Sequence, residues 1–322
     1  MQFQELNIEP KYFIVTIGSN DLSYQKKDKN QNILNSNIDD FKNELKSIFK
    51  QKNILNKELI EVKKTLNSKI NILFLLKLIL IGFILNSMKK EIEQLNDYIQ
   101  SLETNIQNCL VKIEYQFDLE KKKSYLNLIK HFNNLSKSKK IWDITSQTKY
   151  DGTKDRSHAT SLIDRKESFF SIDSINIIET EYSIMFFKNI NGNDFYISPS
   201  FLISFDGFND IKMVELDDIH IDFDTTNFIE SSSVPSDAKI ISYTWRYMNK
   251  NGGPDKRFND NYKIPLVSYA ELEFKSNKIK LSEKYQISNI DFTKSFVNSF
   301  KEYQNQDNLK SGGLKIGMKD LL

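Results

Sequence analysis

The sequence predicts an α+β protein: an N-terminal β-hairpin, long coiled-coil-like helices, and a C-terminal antiparallel β domain closed by a helix. Three observations predict it. Apolar residues recur at 3-4 spacing from Ile38 to Leu66 and again from Ile92 to Ile113, which is the period of a helix seam. Short runs of alternating character with turn punctuation fill residues 169–290, which is the period of antiparallel strands. Residues 70–88, INILFLLKLILIGFILNSM, are apolar all round, because Asn71, Lys77, Gly82, Asn86 and Ser87 gather on no single helix face. Such a helix needs lipid or protein on every side.

Taken in order, KYFIVTIGSNDLSYQ (11–25) reads as a strand, a Gly-Ser-Asn turn and a second strand, and residues 26–36 as a polar linker. Ser36 with Asp39 three positions later resembles a capping box, with Asp in place of Glu or Gln. The first seam runs Ile38, Phe41, Leu45, Ile48, Leu55, Leu59, Val62, Leu66 and is interrupted by Lys52. The second runs Ile92, Leu95, Ile99, Leu102, Ile106, Cys109, Ile113. Their registers do not continue into one another, which predicts a break near Asn86-Ser87. VKIEYQF (111–117) reads as a strand, 118–137 as a helix with Leu119, Tyr125, Leu126, Leu128, Ile129 and Phe132 apolar, KKIWDIT as a strand around Trp142, and 144–168 as a loop. About seven short strands follow, then a helix over 291–304 with Phe292, Phe296 and Phe300 at four-residue spacing. That order suggests a pleckstrin-homology-like half-barrel plugged by its helix. The expected organisation is a hairpin and linker (1–35), a helical module (36–137), a β domain (138–304) and a tail (305–322).

Charge narrows the partners. Residues 1–150 hold 24 lysines, no arginine and 17 acidic residues, about +7, while the remainder holds 21 basic and 26 acidic residues, about −5. A lysine-rich helical half beside an apolar block suits an anionic membrane face. It suits nucleic acid less well, since that half offers no arginine and few interleaved aromatics. The apolar block and the seams point to three coverings: a second copy of the chain through helices 37–113, membrane lipid at 70–88, or the chain's own β domain. The polar N-terminus, MQFQELNIEP, carries no secretory signal, so the expected place is the cytoplasm, with the inner membrane where lipid covers the block. Single spanning would leave the N-terminus inside, because the flank with Lys57, Lys63, Lys64 and Lys69 is richer in lysine than that with Lys89 and Lys90. Cys109, the single cysteine, excludes an internal disulfide.

Chemical motifs are sparse. No Walker loop, G-x-G-x-x-G run or nucleophile elbow occurs. Pro254-Asp255 followed by Glu273-Phe274-Lys275 has the shape of a PD-(D/E)xK nuclease, in which Asp255 and Glu273 would hold Mg²⁺ and Lys275 would orient the attacking water. Against it, Asp255 lies in NKNGGPDKRFNDN, a loop composition. Asp218, His220, Asp222 and Asp224 alternate along one predicted strand, where Asp218, His220 and Asp222 could take a transition metal. The simpler reading is a solvated face opposite Ile219, Ile221 and Phe223. His131 and His158 have no carboxylate or cysteine at ligand spacing. Trp245, Arg246, Lys256 and Arg257 gather around the loop 249–262 as a candidate ligand or partner surface, with Arg257 paired to Asp255 or Asp260 as the structural alternative.

KIWDIT (140–145), GNDFYISPSFLI (192–203), NFIESSSVPSDAKI (227–240), TWRYMNKNGGPDKRFNDNYKIP (244–265) and ISN-x-x-F (287–292) carry a resemblance. By these the chain resembles an uncharacterised bacterial family, and FIVTIGSNDLSY resembles a shortened copy of the glycine-rich β domain that opens such proteins. The resemblance implies helices with hydrophobic segments in the same place and supplies no activity; by association it implies a role in stress or phage defence. The expected function is therefore a non-enzymatic interaction or sensing protein without cofactor, the alternative being the Mg²⁺-dependent nuclease.

Overall fold

The computed structural model describes residues 7–17, 22–27, 33–79, 82–149, 161–206, 210–249 and 251–309. The Gly18-Ser19-Asn20 turn, His158 and most of the C-terminal tail lie outside them. The architecture is α+β, with four helices and three sheets among the described residues.

Strands β1 (Lys11–Ile17), β2 (Leu22–Lys27) and β3 (Ile33–Ser36) form an antiparallel meander. Helix α1 (Ile38–Ile79) starts where the Asn37 side chain accepts from the Asp40 N–H at 2.8 Å. Asn37, rather than Ser36, is thus the N-terminal cap. Helix α2 (Gly82–Asn108) returns antiparallel to it, held by Lys69–Glu91 at 2.5 Å, Lys63–Glu103 at 2.7 Å and a Tyr98 hydroxyl donating to Glu58 at 2.5 Å. The apolar stripes are buried, Phe41, Leu45, Ile48 and Leu55 on α1 and Leu95, Ile99 and Leu102 on α2. They do not make a long coiled coil: Phe41 packs on Phe13 and Tyr24 of the first sheet and on Phe201 of β11, residues 201–206. The predicted break near Asn86-Ser87 is corrected, since α2 runs through it. An antiparallel return resets the phase of a seam, so the mismatch reported a reversal of direction and misplaced it. Lys52 interrupts the seam because its ammonium donates to the Cys109 and Asn176 carbonyls, at 3.4 and 2.5 Å.

This helical hairpin is a crossover. It returns the chain to β4 (Val111–Phe117), which pairs parallel with β1, and the later β8 (Ile178–Glu179) adds parallel to β4, for an order β3-β2-β1-β4-β8. Helix α3 (Leu119–Leu135) follows, with Asp118 as its cap. It buries Tyr125, Leu128, Phe132 and Leu135, whereas Leu119 and Leu126 are exposed.

Residues 144–168 were expected as a loop. Instead β5 (Ile141–Lys149) and β6 (Ser161–Ser168) pair antiparallel across most of that span. Polar, mixed-charge strands lack the apolar alternation by which strands are read. Strands β7 (Phe170–Asp173), β9 (Ile184–Phe187), β10 (Phe195–Ile197), β11 (Phe201–Asp206) and β12 (Asp210–Glu215) form a second sheet, order β12-β11-β10-β9-β7. The third, curled sheet joins β13 (His220–Ile229), β15 (Lys263–Ser276), β16 (Leu281–Ile287), β5 and β6, with β14 (Lys239–Trp245) also on β15. Helix α4 (Ile290–Leu309) packs on it through Phe296, Val297, Phe300 and Tyr303.

The second sheet lies in the middle and feeds two cores. Phe201, Ile203, Ile211 and Met213 face the first sheet with α1 and α2, while Leu202, Val214, Phe187 and Phe195 face α3, α4 and the curled sheet. Period-two alternation puts successive side chains on opposite faces, so one strand run, Phe201-Leu202-Ile203, serves both. Among the described residues no helix is long and apolar enough to cross a membrane.

Candidate active site

Three parallel strands, β1, β4 and β8, end toward one edge of the first sheet. Open sheets place ligands outside the carboxyl ends of parallel strands. At that edge the Asp118 N–H donates to the Ile17 carbonyl at 3.2 Å, and the Asp118 carboxylate accepts from the Lys121 N–H at 2.7 Å. The end of β1 and the first turn of α3 are thereby one unit. A cleft of about 240 Å³ opens beside it, lined by Lys122, Tyr125, Leu126 and Ile129 of α3 and by residues 181–183.

The 3-4 spacing of Lys122, Tyr125 and Ile129 sets them along one face of α3. Opposite, the chain after β8 runs beside β4, packing Tyr182 against Tyr115 and Phe117 with ring centroids 5.7 and 4.8 Å apart. The Tyr125 hydroxyl donates to the Ser183 carbonyl at 2.6 Å, joining the walls. Lys122 sets its ammonium 5.7 Å from the Tyr182 ring centre, and Glu181 also lines the cleft, so it offers one cation and one carboxylate beside aromatic walls. Burial holds the Tyr125 phenol well above its ordinary pKa; it is a neutral donor, not a base. Ser183 is exposed and lines the cleft.

Beneath the cleft lies a buried hydroxyl cluster. Tyr24 and Tyr115 pair with Val15 from either side, so the three share a face. The Tyr115 hydroxyl donates to Ser198 Oγ at 3.3 Å, and Ser198 Oγ donates to the Phe201 carbonyl at 3.1 Å. Burial pushes the Tyr115 phenol up to about 12. Tyr24 is raised further, by burial first and then by Glu215. Ser200 lies beside Tyr24, but neither hydroxyl completes a hydrogen bond of regular geometry. Glu215 is itself raised, by burial and then by Asp218 and Asp217. Tyr24, Tyr115 and Glu215 are thus each biased toward the protonated form.

The residues predicted from sequence lie elsewhere. Asp255 sits in the loop between β14 and β15, where Arg257 binds its carboxylate through Nε at 3.0 and 3.1 Å and through Nη2 at 2.5 Å. Glu273 lies ten positions beyond Lys263, the first residue of β15, about 33 Å along an extended strand. It pairs with Lys275 at 2.8 Å. No single Mg²⁺ can touch Asp255 and Glu273, so the nuclease reading is overturned. Asp218 belongs to a 3-10 turn and pairs with Lys278 at 2.7 Å, while His220 and Asp222 are exposed on β13. Among the described residues no three His, Cys, Asp or Glu side chains converge to hold a metal. Arg246 pairs with Asp260 at 2.7 Å, Trp245 is half-buried under Lys263, and Lys256 is exposed. Met248 and Pro254 bridge across the Gly-Gly turn, and Gly252 takes φ +78° there, a conformation glycine adopts freely.

The chain matches the sequence profile of the GDSL-like lipase/acylhydrolase family over residues 2–209. It belongs to that family. No curated protein and no solved structure matches it. Membership overturns three expectations: the uncharacterised family with its stress or defence role, the non-enzymatic sensing function, and the nuclease alternative. The matched segment contains β1–β11 and α1–α3, hence the whole parallel edge and its cleft, and it ends before Asp255, Glu273 and Lys275. Residues 18–22, directly after β1, read Gly-Ser-Asn-Asp-Leu, which holds the four residue types of the family's name in the order Gly-Ser-Asp-Leu and not Gly-Asp-Ser-Leu; residues 18–21 lie outside the described residues. Lys122 and Ser183 were missed because nothing but the fold brings α3 beside residues 181–183.

Proposed function

We propose that this GDSL-like family member hydrolyses acyl esters at the carboxyl edge of β1 and β4, with the acyl group in the cleft between α3 and residues 181–183. Family membership across residues 2–209 is the observation that carries the reading. The cleft supports it with aromatic and aliphatic walls from Tyr125, Leu126, Ile129 and Tyr182 for an acyl chain, and with Lys122 at the mouth for a developing negative charge. Acyl transfer to a serine needs a base within hydrogen-bond reach. Among the described residues neither His131 on α3 nor the exposed His220 on β13 shares a hydrogen bond with a serine. Two serines are the candidates for the nucleophile: Ser183, which lines the cleft, and Ser19, which lies outside the described residues and follows β1 in sequence.

The purified chain should release p-nitrophenol from short-chain p-nitrophenyl esters and react once with a fluorophosphonate serine label. Peptide mapping of the labelled chain, with Ser19→Ala and Ser183→Ala variants, identifies the nucleophile. A folded protein that neither turns over these esters nor takes the label overturns the reading.

A further inference from the structure

We infer that the tip of the α1–α2 hairpin is a docking element for an anionic lipid surface, which it enters without crossing. The inference is independent of the hydrolase reading and rests on exposure, shape and charge. Leu59 and Val62 are the last α1 residues packed on the protein core. Beyond Val62, α1 continues to Ile79, which projects the hairpin by about 25 Å at 1.5 Å per residue. Along this projection Leu66, Lys69, Leu73 and Leu76 are partly covered, and their 3-4-3 spacing marks the side toward α2. Ile70, Ile72, Phe74 and Leu75 are exposed at 44, 47, 67 and 58%. At 100° per residue these four, with the exposed Asn71 among them, spread over about 200° of the helix on the side away from α2. A docked protein helix covers an apolar stripe of roughly 100°. An arc twice as wide fits a medium that surrounds the hairpin, as acyl chains do.

Charge names the surface. Residues 62–90 contain Lys63, Lys64, Lys69, Lys77, Lys89 and Lys90 and no acidic residue at all. Lys63 and Lys69 are paired across the hairpin with Glu103 and Glu91, at 2.7 and 2.5 Å. The rim cations offered to a headgroup are therefore the exposed Lys64, Lys89 and Lys90, the last two level with Lys69, where the exposed apolar residues begin. Lysines at the rim of an apolar element bind anionic headgroups while the apolar part enters the acyl boundary. Both helix ends return to the protein core, so entry and exit are on one side of the bilayer.

The test is co-sedimentation of the full chain with vesicles of phosphatidylcholine alone or mixed with phosphatidylglycerol. The wild type should bind the mixed vesicles and release at high salt. Phe74→Asp/Leu75→Asp and Lys89→Glu/Lys90→Glu should each weaken binding by at least about tenfold and leave the melting temperature unchanged, because these side chains touch no core. Absence of binding, or binding indifferent to both variants, overturns the inference. So does a wild type that is dimeric without lipid and becomes monomeric as Phe74→Asp/Leu75→Asp, since the occupant would then be a second copy.

Discussion

The Asp118 amide donates to the Ile17 carbonyl at 3.2 Å, so the end of β1 and the cap of α3 are fixed to each other although 101 positions separate them. The cleft inherits its geometry from this bond. Its upper wall begins at that cap, and β4, which carries Phe117, pairs with β1 along its full length.

Asp118→Ala should cost about 1 kcal/mol of stability through loss of the cap. Its larger effect should fall on ester turnover, since the first turn of α3 positions Lys122. Urea denaturation and steady-state rates on one preparation separate the two. Unchanged turnover with the expected loss of stability would show that the α3 terminus does not support the site.

Tyr125→Phe removes the hydroxyl that donates to the Ser183 carbonyl at 2.6 Å and keeps the ring packing. A net loss of about 1 kcal/mol is expected, together with a higher KM as the walls loosen. A KM equal to that of the wild type would place the acyl group elsewhere.

Arg165 lies 3.8 Å from the Trp142 ring centre and 4.0 Å from that of Phe228, and its guanidinium pairs with the buried Glu230 and bonds Gln286. Tyr269 donates to the same Glu230 at 2.8 Å. Arg165→Ala leaves a buried carboxylate with Tyr269 and the Ser232 N–H but no cation, which should cost about 3–5 kcal/mol. Arg165→Met/Glu230→Gln removes both charges and should recover much of it. Equal denaturation midpoints for the single and double variants would show that the charge pair is not the source of the loss.

Burial, reinforced by Asp143 and only partly offset by Asn189, pushes the Glu283 carboxyl up to about 7 from 4.5. Between those values the folded protein holds a proton that the unfolded chain has released, so stability falls as pH rises through that window. Glu283→Gln should gain stability relative to wild type at pH 8 and match it near pH 4. Denaturation midpoints across that range test the sign; a difference that grows toward acid refutes it.

Several elements were legible in the sequence because their physics is local. The helix seams announce themselves through 3-4 spacing, β4 through alternation, and α4 through Phe296 and Phe300, both of which are buried. Strands β5 and β6 escaped, since their pairing is polar and carries no apolar period. The acidic motif at Asp255 and Glu273 misled, because spacing along the chain does not report that one long strand holds its members far apart.

The sequence by itself determined the α+β class, the two seams, the apolar block with its lysines, and membership of the GDSL-like family. Only the tertiary structure decided that the first seam begins against the sheets, that β1 and β4 run side by side, and that Lys122, Tyr125 and Ser183 line one cleft. The division has a single cause. Periodicity and charge are properties of neighbouring residues, whereas a parallel pair joined by a long crossover is selected by burial and backbone pairing between segments about a hundred positions apart, and no local pattern records that choice.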